Sequence, residues 1–132
     1  MIRRLSLVAL FSLILSMAFA DEEAGDYRPD TFAIAADASE LAAPISKLSG
    51  ISPYFHLYDV NGKHIEVLAN PHLDLEYGTG PAVAATLADK GVTVLVGGMA
   101  GPKMMDVLNA REVRFVRRVG TVQDVVTELK SE

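Results

Sequence analysis

Val92-Thr93-Val94-Leu95-Val96-Gly97-Gly98-Met99-Ala100-Gly101-Pro102 is the stretch on which the fold turns. Val92–Val96 is an unbroken β-branched and aliphatic run. A strand with no polar face is one buried on both sides, the habit of parallel sheets. The glycines then turn the chain, and Pro102, whose fixed φ suits a first helical position, opens a helix through about Ala110.

The neighbouring segments continue this alternation of strand and helix. Upstream, Gly78-Thr79-Gly80-Pro81 leads into a helix over Ala82–Lys90, with Pro81 at its start and Gly91 as its stop. Downstream, Val113–Val119 reads as a strand interleaved with Arg114, Arg117 and Arg118, a charge density expected at a sheet edge. Thr121 and Asp124 form a Thr-x-x-acid capping pair for a last helix, whose Val122, Val125, Val126 and Leu129 share one apolar face.

Toward the N-terminus, Tyr54–Val60 and Lys63–Leu68 flank Asn61-Gly62, the pair that best accepts a two-residue hairpin turn. That turn would set Asp59 opposite His64 and Tyr58 opposite Ile65. Thr31–Ala36 is a short apolar run of the buried-strand kind. Asp37–Ser52, with Pro44, Gly50 and four serines, reads as a long loop, and loops of that length tend to carry function. The order β-β-β-α-β-α-β-α predicts a three-layer α/β domain on a mixed five-stranded sheet, its last three strands parallel and joined by right-handed crossovers.

Residues 1–20 have the three parts of an export signal. Arg3 and Arg4 are basic, Leu5–Leu15 is apolar, and Ala18-Phe19-Ala20 is a small-x-small cleavage pattern. The apolar run falls short of the roughly 20 residues that span a bilayer. Arg3-Arg4 also fits a twin-arginine signal, although the flanking residues match that pattern poorly. The expectation is a secreted protein, periplasmic in a Gram-negative bacterium, with no membrane attachment after cleavage. Residues 21–30 form a flexible acidic leader and 31–132 a single domain.

Composition narrows the chemistry. Of 12 Lys and Arg residues two lie in the signal, against 17 Asp and Glu, so the mature chain is strongly acidic and nucleic acid is an unfavourable partner. With no cysteine, no thiolate can ligate a metal or form a covalent intermediate. No serine sits in a nucleophile elbow. A two-metal nuclease needs clustered carboxylates. Asp37 and Asp59 end their strands, but neither Val92–Val96 nor Ala82–Ala88 carries an acid.

What remains are two glycine turns, Gly78-Thr79-Gly80 and Gly97-Gly98-Met99-Ala100-Gly101, each between a strand and a helix. Small residues there let a ligand approach the backbone, and helix N-terminal N–H groups attract anions, with Lys103 adding a positive charge. Tight turns between strand and helix also need glycine for their own sake. Met99, Met104, Met105 and His72 are a soft ligand set suited to copper(I). Helical spacing makes core filling the simpler role for Met104 and Met105. His56 and His64 lie on the hairpin without ligand spacing, and Arg111, Arg114, Arg117 and Arg118 either bind an oxyanion or guard the sheet edge.

Four segments together resemble the dinitrogenase iron–molybdenum cofactor biosynthesis family. Pro44-Ile45-Ser46-Lys47-Leu48-Ser49-Gly50 followed by Pro53-Tyr54-Phe55 is similar to its V-S-x-H-F-G-x-x-P-x-F region. Asn70-Pro71 with Tyr77-Gly78-Thr79-Gly80 is similar to its E-N-P and H-G-x-G segments. Gly97–Lys103 resembles its G-x-x-G-P-x-A loop, and Gly120-Thr121-Val122 the start of its last helix. The resemblance implies a ribonuclease-H-like fold and the non-catalytic binding of a metal–sulfur cluster, an iron–molybdenum cofactor precursor or a related oxyanion. On that reading the site comprises Ser49, Gly50, Tyr77, Gly78, Gly80, Gly97, Gly98, Gly101 and Lys103, with Met99, Met104 and His72 as metal ligands in a copper variant. Two departures stand out: Leu48 and Tyr77 occupy the places of the family's histidines. A chain that kept the fold and lost the ligand would serve instead as a protein-interaction module.

Overall fold

The computed structural model describes residues 29–131, so the signal segment lies outside the described residues. Five strands, β1 (Thr31–Ala36), β2 (Tyr54–Asp59), β3 (His64–Ala69), β4 (Val94–Gly97) and β5 (Arg114–Arg117), form one sheet in the order β3-β2-β1-β4-β5. β1 runs antiparallel to β2 and parallel to β4, β2 antiparallel to β3, and β4 parallel to β5. Three helices follow the expected alternation: α1 (Thr79–Asp89), α2 (Pro102–Ala110) and α3 (Val122–Lys130). A short 3-10 turn, η1 (Ser49–Ile51), interrupts the connection between β1 and β2. No helix of the described residues is long and apolar enough to cross a membrane.

Strand alternation divides the core in two. Phe32, Ile34 and Ala36 of β1 face α3, packing with Val122, Val125, Val126 and Leu129. Ala33 and Ala35 face the other way, into Val83 and Leu87 of α1 and Met104 and Leu108 of α2. β4 is buried along its whole length, as its apolar run requires. Each fully buried Val or Leu here contributes about 1.5–3 kcal/mol of transfer free energy. α3 carries the expected capping box: the Asp124 N–H donates to Thr121 Oγ1 at 3.2 Å, and the Thr121 N–H to Asp124 Oδ2 at 3.0 Å.

Three local expectations are corrected. The hairpin does not take a two-residue turn, because only Gly62 adopts a positive φ, +80°, and Asn61 does not. Asp59 Oδ1 accepts from the Asn61 and Lys63 N–H groups at 2.8 and 2.9 Å, which bends the chain into a longer loop with a bulge at glycine. His64 therefore lies opposite Tyr58 rather than Asp59, the two rings edge to face at 5.2 Å. Ile65 falls at the register shift, half-exposed. Next, α1 begins at Thr79 rather than Ala82, since a proline in the first turn lacks only an N–H with no intrahelical acceptor anyway. Finally, Asp30 belongs to the domain rather than to the leader. It is 7% exposed, and its Oδ1 accepts from Thr93 Oγ1 at 2.8 Å.

α1 and α2 end alike, with different residues at the left-handed position. The Val92 N–H donates to Leu87 O and the Gly91 N–H to Ala88 O, with Gly91 at φ +87°. The Val113 and Glu112 N–H groups donate to Leu108 and Asn109 O in the same pattern, with Glu112 at φ +61°. Replacing Glu112 by glycine removes the side-chain penalty of that conformation, partly offset by greater freedom of the unfolded chain. Glu112→Gly is expected to raise stability by about 0.5–1 kcal/mol, read as a higher urea midpoint at unchanged slope.

Candidate functional site

The connections leaving β1, β3 and β4 all lie at one end of the sheet, where parallel β1 and β4 finish at Ala36 and Gly97. In an open α/β sheet this is the edge at which ligands collect. Here the first and third connections are bonded to one another. The Gly98 N–H donates to Ser46 O at 2.9 Å, and the Ser49 N–H to Met99 O at 2.8 Å.

Most of the glycines at this end serve that approach. A Cβ on Gly98 would stand 2.6 Å from Lys47 O and 2.7 Å from Lys47 Cα, both main-chain atoms that cannot swing away. A Cβ on Gly97 would collide with Ser49 Oγ, and one on Gly50 would lie 2.9 Å from Gly80 Cα. Ser49 is fully buried and its hydroxyl has no hydrogen-bond partner among the described residues. Ser49, Gly50, Gly80, Gly97 and Gly98 thus form a tightly packed floor.

Gly78 and Gly101 differ from these, because nothing lies within 4 Å of a Cβ built on either. Each is the N-cap of a helix, α1 and α2 respectively, and neither provides a side-chain cap. Their first turns contain no acid, in contrast to the capped α3. The Ala82 N–H already reaches Gly78 O and the Met105 N–H reaches Gly101 O. The N–H groups of Thr79 and Gly80, and of Lys103 and Met104, are thus left without intrahelical acceptors. Lys103 is exposed on the first turn of α2, and Tyr77, 83% exposed, precedes Gly78. The three glycine-bearing connections therefore converge on one end of the molecule.

The soft ligands do not converge. Met104 is 2% exposed and fills the space beside Gly50 and Gly80. His72 Nε2 bonds Thr86 Oγ1 at 2.7 Å, partway along α1. Met99 is half-exposed, so the copper set of Met99, Met104 and His72 is not assembled. His56 is buried on the sheet face toward α3 and bonds Ala38 O at 2.9 Å. No group of three or more His, Asp or Glu residues placed to hold a metal occurs among the described residues. Two of the arginines are in ion pairs, Arg111 with Asp89 at 2.6 Å and Arg118 with Glu128 at 3.8 Å. The main-chain donors at this end suit hydrogen bonding to an anion.

Two features escaped the sequence reading. Asn70 staples the site: its side-chain amide donates to Ser52 O at 2.9 Å and Gly50 O at 3.3 Å, while its Oδ1 accepts from the His72 N–H at 2.9 Å. Asn70-Pro71 stood in the family-like pattern, so the signal was present without its mechanism. The second is a polar chain under the loop. Ser46 Oγ donates to Asp37 Oδ1 at 2.7 Å and lies 2.8 Å from Ser52 Oγ, which itself reaches Ala36 O and Tyr54 O. Beside it is a depression of about 430 Å³ lined by Asp37, Lys47, Leu48 and Ile51 among others.

These features define an α/β protein that offers main-chain donors, rather than ligating side chains, at the end of its parallel strands. The family model described as "Dinitrogenase iron-molybdenum cofactor" matches residues 31–132, and the chain belongs to that family. Membership associates it with cofactor or metal-cluster binding or biosynthesis. Among solved structures it is similar to the apo form of the orange protein from Desulfovibrio gigas. The two are 24% identical with a TM-score of 0.71, over 79% of this chain and 89% of that one. It is also similar to a putative NifB protein from Thermotoga, 29% identical with a TM-score of 0.65, over 77% of this chain and 88% of that one. No curated protein matches the sequence.

The floor and its staple make separable predictions. Gly98→Ala is expected to cost about 3 kcal/mol, near the top of the usual overpacking range, because its neighbours are backbone. Asn70→Ala is expected to cost about 2 kcal/mol by stranding the Gly50 and Ser52 carbonyls. Both are read from urea unfolding.

Proposed function

We propose that this protein is an exported, non-catalytic carrier that holds an anionic metal–sulfur cluster, an iron–molybdenum cofactor precursor or a related oxyanion as cargo. The observation that carries this reading is the pair of side-chain-uncapped helix N-termini, with open space over Gly78 and Gly101 at one end of the sheet. Lys103 adds long-range attraction in a chain that is otherwise acidic. Main-chain donors and exposed apolar side chains hold a ligand without offering it a proton or an electron pair, which supports carriage rather than turnover. Replacement of the family's two histidines by Leu48 and Tyr77 supports hydrogen bonding as the whole basis of retention.

A second reading is favoured by a separate observation. Leu48, Ile51, Leu73, Leu75, Tyr77 and Met99 are all exposed, and all lie on the three connections at this end. Such a collar suits a partner protein, whether as donor or receiver of the cargo or as the sole binding partner.

Gly101→Asp separates the two readings. Aspartate is a good N-cap and the site has room for it, so stability is expected to change by less than about 0.5 kcal/mol. Its carboxylate occupies the anion's place, and retention of tetrathiomolybdate, followed by visible absorbance after anaerobic gel filtration, is expected to fall about tenfold or more. Wild-type protein that retains no thiometallate counts against carriage and leaves the partner reading. Export is tested independently, since the mature protein recovered outside the cytoplasm is expected to begin at Asp21.

A further inference from the structure

β5 forms one border of the sheet, and no strand lies beyond it among the described residues. Its pairing with β4 fixes which of its main-chain groups are already engaged. The Arg114 N–H donates to Thr93 O and the Arg118 N–H to Gly97 O, both at 2.9 Å. In a parallel ladder alternate residues turn both their groups to the neighbouring strand. Arg114, Val116 and Arg118 therefore face β4, and the N–H and C=O groups of Phe115 and Arg117 point outward from the sheet.

Side chains alternate along this edge in the same register. Arg114 and Val116 lie on the α3 side, where Val116 packs against the core. Phe115 and Arg117 lie on the side of α1 and α2, where Phe115 packs. The edge thus reads cation, apolar, apolar, cation, with Phe115 and Val116 half-buried and Arg117 exposed. Among the described residues Arg114 and Arg117 are in no ion pair, whereas Arg111 is held by Asp89 and Arg118 by Glu128. Two unpaired guanidinium groups therefore sit about 10 Å apart along one strand, on a chain whose formal net charge is −5.

These charges choose between occupants. A second copy added antiparallel about Val116 would set Arg114 against Arg118 across the junction, and one added about Arg117 would set that residue against itself. Like charges directly opposite one another are destabilising. The same guanidinium groups attract a strand that carries carboxylates. We propose that β5 is a strand-addition site for an extended acidic segment of a partner protein, with the pattern acid-apolar-apolar-acid. Run antiparallel, such a segment sets its first acid opposite Arg117 and its second opposite Arg114, and its apolar pair lies opposite Val116 and Phe115. Main-chain bonds to Phe115 and Arg117 supply affinity, and the two charge pairs fix the register.

The probe is the peptide acetyl-Thr-Glu-Val-Tyr-Glu-Thr-amide, titrated to about 5 mM and followed by amide resonances of the chain. At half-saturation, hydrogen exchange of the Phe115 and Arg117 amides is expected to slow about twofold, with Arg114 and Val116, already bonded to β4, unchanged. N-methylation of the peptide's tyrosine removes a donor that faces β5 and is expected to weaken binding about tenfold or more. N-methylation of its valine, which faces away, is expected to change binding less than about twofold. Arg114→Glu with Arg117→Glu is expected to weaken the acidic peptide about tenfold or more and to favour a counterpart with lysine in place of glutamate. Should that double variant unfold, the lysine peptide tests the same charge pairing on the unaltered chain, where it is expected to bind at least tenfold more weakly. No saturable binding, slowed exchange at the β3 edge instead, equal binding of the tyrosine-methylated peptide, or indifference to the charge exchanges overturns the proposal.

Discussion

The arrangement of this protein's working end rests on one close approach, that of the segment around Ser46–Ser49 to Gly98. Two main-chain hydrogen bonds join them, and they form only because Gly98 has no side chain to hold Lys47 away. From this contact the rest follows in sequence. η1 is seated over β4, Gly50 meets Gly80 at the start of α1, and Asn70 ties the β3–α1 connection to the same loop. The direct crevice between β1 and β4, where a doubly wound sheet would receive a ligand, is closed. The open donors are displaced sideways to the N-termini of α1 and α2.

Much of the architecture was legible because it depends on local patterns of short range. The apolar run of β4, the prolines opening α1 and α2, and the Thr121–Asp124 box each specify an element without reference to anything distant. The hairpin register was not legible, although Asn61-Gly62 signalled the turn. The Asp59 carboxylate bonded two N–H groups of the loop, and that competition, invisible in a dipeptide rule, moved His64 by one position. At the candidate site the glycines were visible but their roles were not. Whether a glycine is there for a ligand or for a neighbouring backbone depends on what stands opposite. Gly98 and Gly101, three residues apart, take opposite answers.

The three helices also divide by how their N-termini are satisfied. α3 closes its own, with threonine and aspartate, and packs as a structural element against the sheet. α1 and α2 have no side-chain cap at the end where the connections gather. Helix N-terminal donors in general respond to charge and shape rather than to the identity of a metal.

The Ser49 hydroxyl, sealed against Gly97 without a partner, gives the loop above it an unusual thermodynamic position. A buried hydroxyl deprived of hydrogen bonds costs about 1–3 kcal/mol. Lifting η1 off β4 returns that hydroxyl to water and offsets part of what is lost by breaking two main-chain bonds. The segment is therefore held less tightly than its two main-chain bonds alone would hold it.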